Sequence, residues 1–290
     1  MASPQSPLST PQHYSLFLAI FSLAVGGFCI GTTEFVAMGL IQEIANNLNI
    51  TVPEAGHFIS AYALGFEFSA TIAFVTLIAV GFFVPNIPVQ ATASIKTELA
   101  GLKNINMWLT LAVGAIGFGG MFSVYSYVSP ILTEYTQVNI QIVPIALAIW
   151  GIGMVIGGLV AGWLADKNLN KTIVGVLISS AIAFVVASFL MSNIYTAIAS
   201  LFLIGLTVMG LGGALQTRLM DVAGDAQTLA ASLNHSAFNM ANALGAFLGG
   251  WVLSHQMGWI APIWVGFVLS LGGLIILLIA FAVEKASKKA

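Results

Sequence analysis

The chain has 290 residues, 59% hydrophobic and only 6% charged, with 8 Lys and Arg set against 10 Asp and Glu. Soluble domains carry about 25% charged residues, so a water-facing surface is excluded, and the high hydrophobicity excludes disorder. The absence of a basic excess excludes nucleic-acid binding, and a single cysteine, Cys29, with no Cys/His cluster leaves neither an internal disulfide nor a metal site to expect. The class that remains is an all-α integral membrane protein, which the 30 glycines also fit.

A spanning helix needs about 20 mostly apolar residues. Residues 1–14 are polar and proline-bearing and are expected to form a disordered tail. They lack a positive n-region, and the apolar stretch that follows is too long for a signal peptide. Eight spans are then predicted, at about 15–40, 57–84, 107–132, 142–165, 172–191, 196–216, 229–254 and 259–283. Each run is continuously apolar, which indicates helices rather than the alternating pattern of a barrel strand. The resulting division is a first part of two spans over 15–84, a polar loop over 85–105, a six-span part over 106–284 and a basic tail over 285–290. Asp166 to Lys171 forms a very short turn between the fourth and fifth spans.

Lys and Arg stand at 96 and 103, at 167 and 171, at 218, and at 285, 288 and 289. With eight spans all of these lie on one side, and the opposite loops contain neither residue type. The positive-inside rule makes that side cytoplasmic and places both termini there.

Polar residues inside hydrocarbon are costly and face a cavity or a partner helix. Glu34, in Gly31-Thr32-Thr33-Glu34, lies one to two turns inside the first span. A carboxyl in a low-dielectric site has a raised pKa and binds and releases a proton near neutrality; the competing reading is an interfacial Glu that reaches the headgroups. His235, Asn239 and Asn242 stand at i, i+4 and i+7 on one helical face, suited either to a hydrated cavity or to hydrogen bonding between helices. Tyr125 and Ser129, four apart after the glycine-rich stretch Gly117 to Gly120, form a candidate substrate contact. Gly153, Gly157, Gly158 and Gly162 make two small-xxx-small pairs, a signal for close helix packing.

The stretch Gly162-Trp163-Leu164-Ala165-Asp166-Lys167-Asn168-Leu169-Asn170-Lys171 resembles the cytoplasmic loop motif of the major facilitator superfamily, with Gly162, Asp166, Lys167 and Lys171 in the matching positions. Gly31 to Leu40, Gly117 to Pro130, Gln216-Thr217-Arg218 and Ala231 to Gly250 resemble the bacterial drug:proton antiporters and sugar-efflux permeases of that superfamily. The family has twelve helices in two halves. Spans three to eight resemble its complete second half and span one its first helix. Residues 52–65 resemble the start of its second helix and residues 66–85 its sixth, with a junction near Gly65. The resemblance thus implies an internally truncated chain. Family helices three to five are missing, and with them go the first copy of the loop motif and the coupling arginine. Both joined helices run the same way, so later spans keep their orientation.

Span two is expected to be one tilted helix, although Glu67 near mid-membrane would cost about 3 kcal/mol. The alternative leaves 57–66 at the interface and only 68–84 in the core.

The function implied is proton-coupled efflux of drugs, sugars or other small molecules across a bacterial inner membrane, with substrate and protons bound near mid-membrane between two rocking halves. No cofactor is expected; the partners are substrate, protons and the bilayer. The alternative is a shortened chain that inserts or self-associates without transporting. An intramembrane enzyme has no support, since no paired Asp, Ser–His or Ser–Lys arrangement stands at plausible depth.

Overall fold

The computed structural model describes residues 41, 45, 50–56 and 100–287, with backbone only for Thr228. All of these belong to one compact unit. The expectations for the tail 1–14, for span one with Glu34, for the path of 57–84 and for most of the loop 85–105 fall outside the described residues.

Among the described residues the secondary structure is entirely helical. Helices α1 (Ile105–Gly117) and α2 (Gly119–Tyr125) form one span with a bend at Phe118, between two glycines. A short helical turn, Val128–Pro130, and a widened turn, Ile131–Tyr135, follow. The next run, Val143–Leu190, breaks at Asn168, whose backbone is extended (φ −160°, ψ 95°). It therefore comprises α3, residues 143–167, and α4, residues 169–190. Helices α5 (Ile194–Val208) and α6 (Gly210–Ala223) form a second bent span, followed by α7 (Gln227–Ser254) and α8 (Ala261–Ser287).

Four of these stretches are both long and apolar enough to cross a membrane: Ile105–Tyr125, Ile140–Leu190, Ile194–Ala223 and Ala261–Ser287. The second is 51 residues long, about twice what one crossing needs, and the break at Asn168 divides it into two crossings. Helix α7 is long enough at 28 residues, but its apolar run is diluted by Ser232, Asn234, His235, Ser236, Asn239 and Asn242.

The helix starts are set by asparagines, whose short side chain accepts an orphan N–H of the first turn. Asn104 accepts from Asn106 N at 3.0 Å, Asn168 from Lys171 N at 3.0 Å, Asn139 from Gln141 N at 3.0 Å and Asn193 from Tyr195 N at 2.9 Å. The predicted turn over Asp166 to Lys171 thus reduces to one capping residue. Residues 52–56 are helical, five residues earlier than span two was predicted to begin. Thr51 and Glu54 form a reciprocal capping box there, with Thr51 N donating to Glu54 Oε2 at 2.8 Å and Glu54 N to Thr51 Oγ1 at 3.4 Å.

Lipid provides no hydrophobic force between helices, so close backbone approach through small residues has to hold them together. Glycines make these crossings. A Cβ at Gly273 would lie 2.6 Å from Gly117 Cα, and one at Gly120 2.7 Å from Gly266 O, which locks α1 and α2 onto α8. Gly245 and Gly249 of α7 meet Phe122 Cβ and Tyr127 at 2.8 Å by the same measure. Gly153 and Gly157 of α3 pack on the backbone of Phe202 and Leu206 in α5. The second predicted pair does not pack: a Cβ at Gly158 would reach only Met209 at 4.0 Å, and Gly162 faces open space. The outward faces of α3 and α8 carry Ile152, Val155, Leu159, Trp163, Val268 and Ile275, all exposed, as lipid-facing surfaces require.

Candidate functional site

The two ends of the helix array differ in charge. Lys103, Lys167, Lys171, Arg218 and Lys285 are all the described Lys and Arg residues, and they gather at one end. Hydrogen bonds tie that end together: Asn104 Nδ2 donates to Val222 O at 2.6 Å, and Arg218 Nη1 to Asn170 Oδ1 at 2.7 Å. At the opposite end Thr136 Oγ1 donates to Met191 O at 2.7 Å, and the loops carry no Lys or Arg.

Arg218 departs from expectation. A span ending near 216 puts it in a loop; instead α6 continues to Ala223 and Arg218 is only 3% exposed. Its guanidinium pairs with Glu284 of α8, bonds Asn170 at the start of α4, and lies 4.8 Å from the Phe281 ring centroid. The tail boundary moves for the same reason: α8 runs to Ser287, so Glu284 and Lys285 are helical. A buried cation that would be costly alone is thus neutralised across three helices.

Mid-span, the polar candidates divide by burial. On α7, His235 is exposed, Asn239 half-buried and Asn242 only 4% exposed. The three lie within one arc, but Asn242 sits beside the seam where Phe238 and Gly245 meet α2, and this draws it inward. Its Oδ1 has no hydrogen-bond partner among the described residues. Phe238 packs on Phe118 with ring centroids 4.9 Å apart, and Phe118 on Phe122 at 5.6 Å.

Tyr125 is half-buried, its ring edge-on to Trp150 of α3 at 5.3 Å. Ser129 is buried, and the helix is interrupted between them at Tyr127 (φ −119°, ψ 13°). The four-residue spacing therefore does not place Tyr125 and Ser129 on one regular helical face. Tyr127 instead donates its hydroxyl to Ala246 O at 2.8 Å and abuts Gly56, tying α7 and the 52–56 turn together.

The residues that were not singled out are Trp150, Ser126 and Asn234. All are buried, and Trp150 Nε1 and Ser126 Oγ lack partners among the described residues. Trp150 and Ser126 are ordinary members of an apolar run in sequence, so only packing reveals them. The loop-motif residues Gly162, Asp166, Lys167 and Lys171 are all exposed at the charged end, and Lys167 Nζ lies 3.2 Å from the centroid of the Trp163 ring.

The described site is therefore an aromatic and neutral-polar assembly. Phe118, Phe122 and Tyr125 come from the α1–α2 span and Ser126 from its end, Trp150 from α3, and Phe238, Asn239 and Asn242 from α7. Unsatisfied buried acceptors and donors are costly unless something else binds them.

Comparison with known proteins gives this arrangement a family. The Major Facilitator Superfamily profile matches residues 66–230 and 110–290. The chain is 25% identical to the inner membrane transport protein YdhP of Escherichia coli (strain K12), over 92% of this chain and 96% of that one. That match runs over 375 positions, more than this chain has residues, so YdhP holds residues with no counterpart here. Identity is 26% to a chloramphenicol resistance protein of Streptomyces lividans, over 64% of this chain and 47% of that one. It is 29% to a probable sugar efflux transporter of Helicobacter pylori (strain ATCC 700392 / 26695), over 56% and 40%. In fold the chain is similar to a bacterial homologue of the iron transporter ferroportin, solved in an outward-facing state. The TM-score is 0.53 at 10% sequence identity, covering 85% of this chain and 65% of that one. With the matched profile covering more than half of its length, the chain belongs to the Major Facilitator Superfamily and is a membrane transporter of that family.

Proposed function

We propose that the chain is an efflux permease of a bacterial inner membrane, exporting small, largely uncharged lipophilic molecules in exchange for protons. Both termini are cytoplasmic in this reading. The observation that carries it is the unpartnered Asn242 Oδ1, 4% exposed, on a helix whose Phe238 packs at a tilt against Phe118. A hydrogen-bond acceptor and apolar rings recognise a neutral molecule with a donor group, and the described part of the site offers no charge to hold an ion. The names of the chloramphenicol resistance protein and the sugar efflux transporter among the relatives support export of such molecules.

Glu34 and His235 are the proposed proton carriers, because each offers an ionisable side chain within a predicted span that also bears polar residues. Asn239, Asn242, Tyr125 and Ser129 are the proposed substrate contacts. The gathering of Lys and Arg at one end supports the cytoplasmic placement of that end. The resemblance implies that family helices three to five are missing, so the working unit proposed is a self-associated one in which a second copy supplies what the first part lacks.

The test is reconstitution of the purified chain in liposomes with an imposed pH gradient, using labelled chloramphenicol and a sugar as probes. Gradient-dependent movement of the drug, reduced at least tenfold by Asn242→Leu and made independent of the gradient by Glu34→Gln, is expected. A folded, inserted chain that moves neither probe would instead match the reading of a family member that only inserts or associates.

A further inference from the structure

The break at Asn168 opens a groove that efflux does not use. It has a volume of about 460 Å³ and lies between α3, α4 and α5. Its walls are Gly157, Val160, Ala161, Leu164, Val176 and Leu206, and Lys167 and Lys171 stand among the residues that line it. Gly175 also lines it, and a Cβ there would meet nothing within 4 Å. The flanking surface is apolar and exposed, with Leu159, Trp163, Ile178 and Ile182 all facing outward. The groove is therefore reached from the hydrocarbon rather than from water.

We infer that this groove is a binding site for one anionic phospholipid of the leaflet on the lysine-bearing side. Charge selects the occupant. Lys167 and Lys171 make no ion pair among the described residues, where the ion pair formed is that of Arg218 with Glu284. Asp166, the neighbouring acid, is not among the lining residues. Two ammonium groups at the membrane–water boundary recognise a phosphodiester, and a basic pocket between spans on this side is where an anionic headgroup binds. Trp163, with Lys167 Nζ 3.2 Å from its ring centroid, marks the interfacial depth. The apolar trough below takes an alkyl chain, and its size is that of a small-molecule site. A soluble phosphate would engage the lysines and leave the trough empty.

The experiment uses the full chain, purified in mild detergent and stripped of lipid. Phosphatidylglycerol or phosphatidylcholine of the same acyl composition is added, and bound lipid is counted by native mass spectrometry. Phosphatidylglycerol is expected to bind about tenfold more tightly. Lys167→Gln with Lys171→Gln should erase that preference, and Lys167→Arg with Lys171→Arg should keep it. Gly175→Leu, which fills the trough while keeping both lysines, should weaken both lipids. Inorganic phosphate should not displace the bound lipid.

An unchanged preference in the Gln variant overturns the proposal. So does an equal loss in the control Lys285→Gln, which would mean diffuse surface charge. Displacement by phosphate would remove the lipid from the reading. A monomer–dimer shift in Gly175→Leu with lipid binding intact would make a second copy of the chain the occupant.

Discussion

Gly157 and Gly162 are equivalent in sequence, each one end of a small-xxx-small pair on α3, and the structure separates them. A Cβ on Gly157 would lie 2.7 Å from Leu206 C and 2.9 Å from Leu206 Cα, with Leu206 O closer still. These are backbone atoms, so relief requires α3 and α5 to move apart along their whole contact. Overpacking of this kind costs about 1–3 kcal/mol, against which alanine recovers about 1 kcal/mol of helix propensity. Gly157→Ala should therefore destabilise by up to about 2 kcal/mol, while Gly162→Ala, which meets nothing, should be neutral or slightly stabilising. Thermal unfolding in detergent, followed through the 6 tryptophans, reads the difference as a midpoint several degrees lower for Gly157→Ala alone. Equal midpoints for the two variants would refute the packing argument.

Three further outcomes follow from the same geometry. Glu284→Gln strands the buried Arg218 and should lower the unfolding midpoint sharply, whereas Glu284→Leu combined with Arg218→Met should recover much of the loss; a double variant as unstable as the single one would contradict the pairing. Asn168→Ala removes the cap of α4 and should cost about 1 kcal/mol in the same unfolding assay, with Asn168→Asp close to wild type. In a Cys29→Ser background, Lys167→Cys should react with an impermeant maleimide only from the cytoplasm, and Gln137→Cys and Met257→Cys, both exposed at the other end, only from outside.

Most boundaries of the last six spans were readable because hydrocarbon thickness imposes a length that a continuous apolar run displays directly. The predicted limits 172–191 and 259–283 lie within about four residues of α4 and α8. Arg218 was misplaced because a lone arginine after an apolar run looks like a loop, and the partner that permits its burial, Glu284, stands two spans later. The glycine pairs looked alike because spacing records which residues share a face but not which face meets a neighbour. Asn239 and Asn242 were legible as polar residues on a helix, yet their unequal burial depends on how Phe238 and Gly245 seat α7 against α2. Trp150 and Ser126 had no local signal at all. Their missing hydrogen bonds belong to the packed structure.

The claim on which the account rests is that this shortened member of the superfamily carries molecules across a membrane. The most direct measurement is drug flux into liposomes containing the purified chain at graded protein-to-lipid ratios, with a pH gradient imposed and then collapsed by an ionophore. The account predicts flux that stops when the gradient collapses, rises steeply with the protein-to-lipid ratio as copies associate, and falls at least tenfold in Asn242→Leu. Flux no greater than that of empty liposomes at every ratio, from protein shown to be folded and inserted, would contradict it.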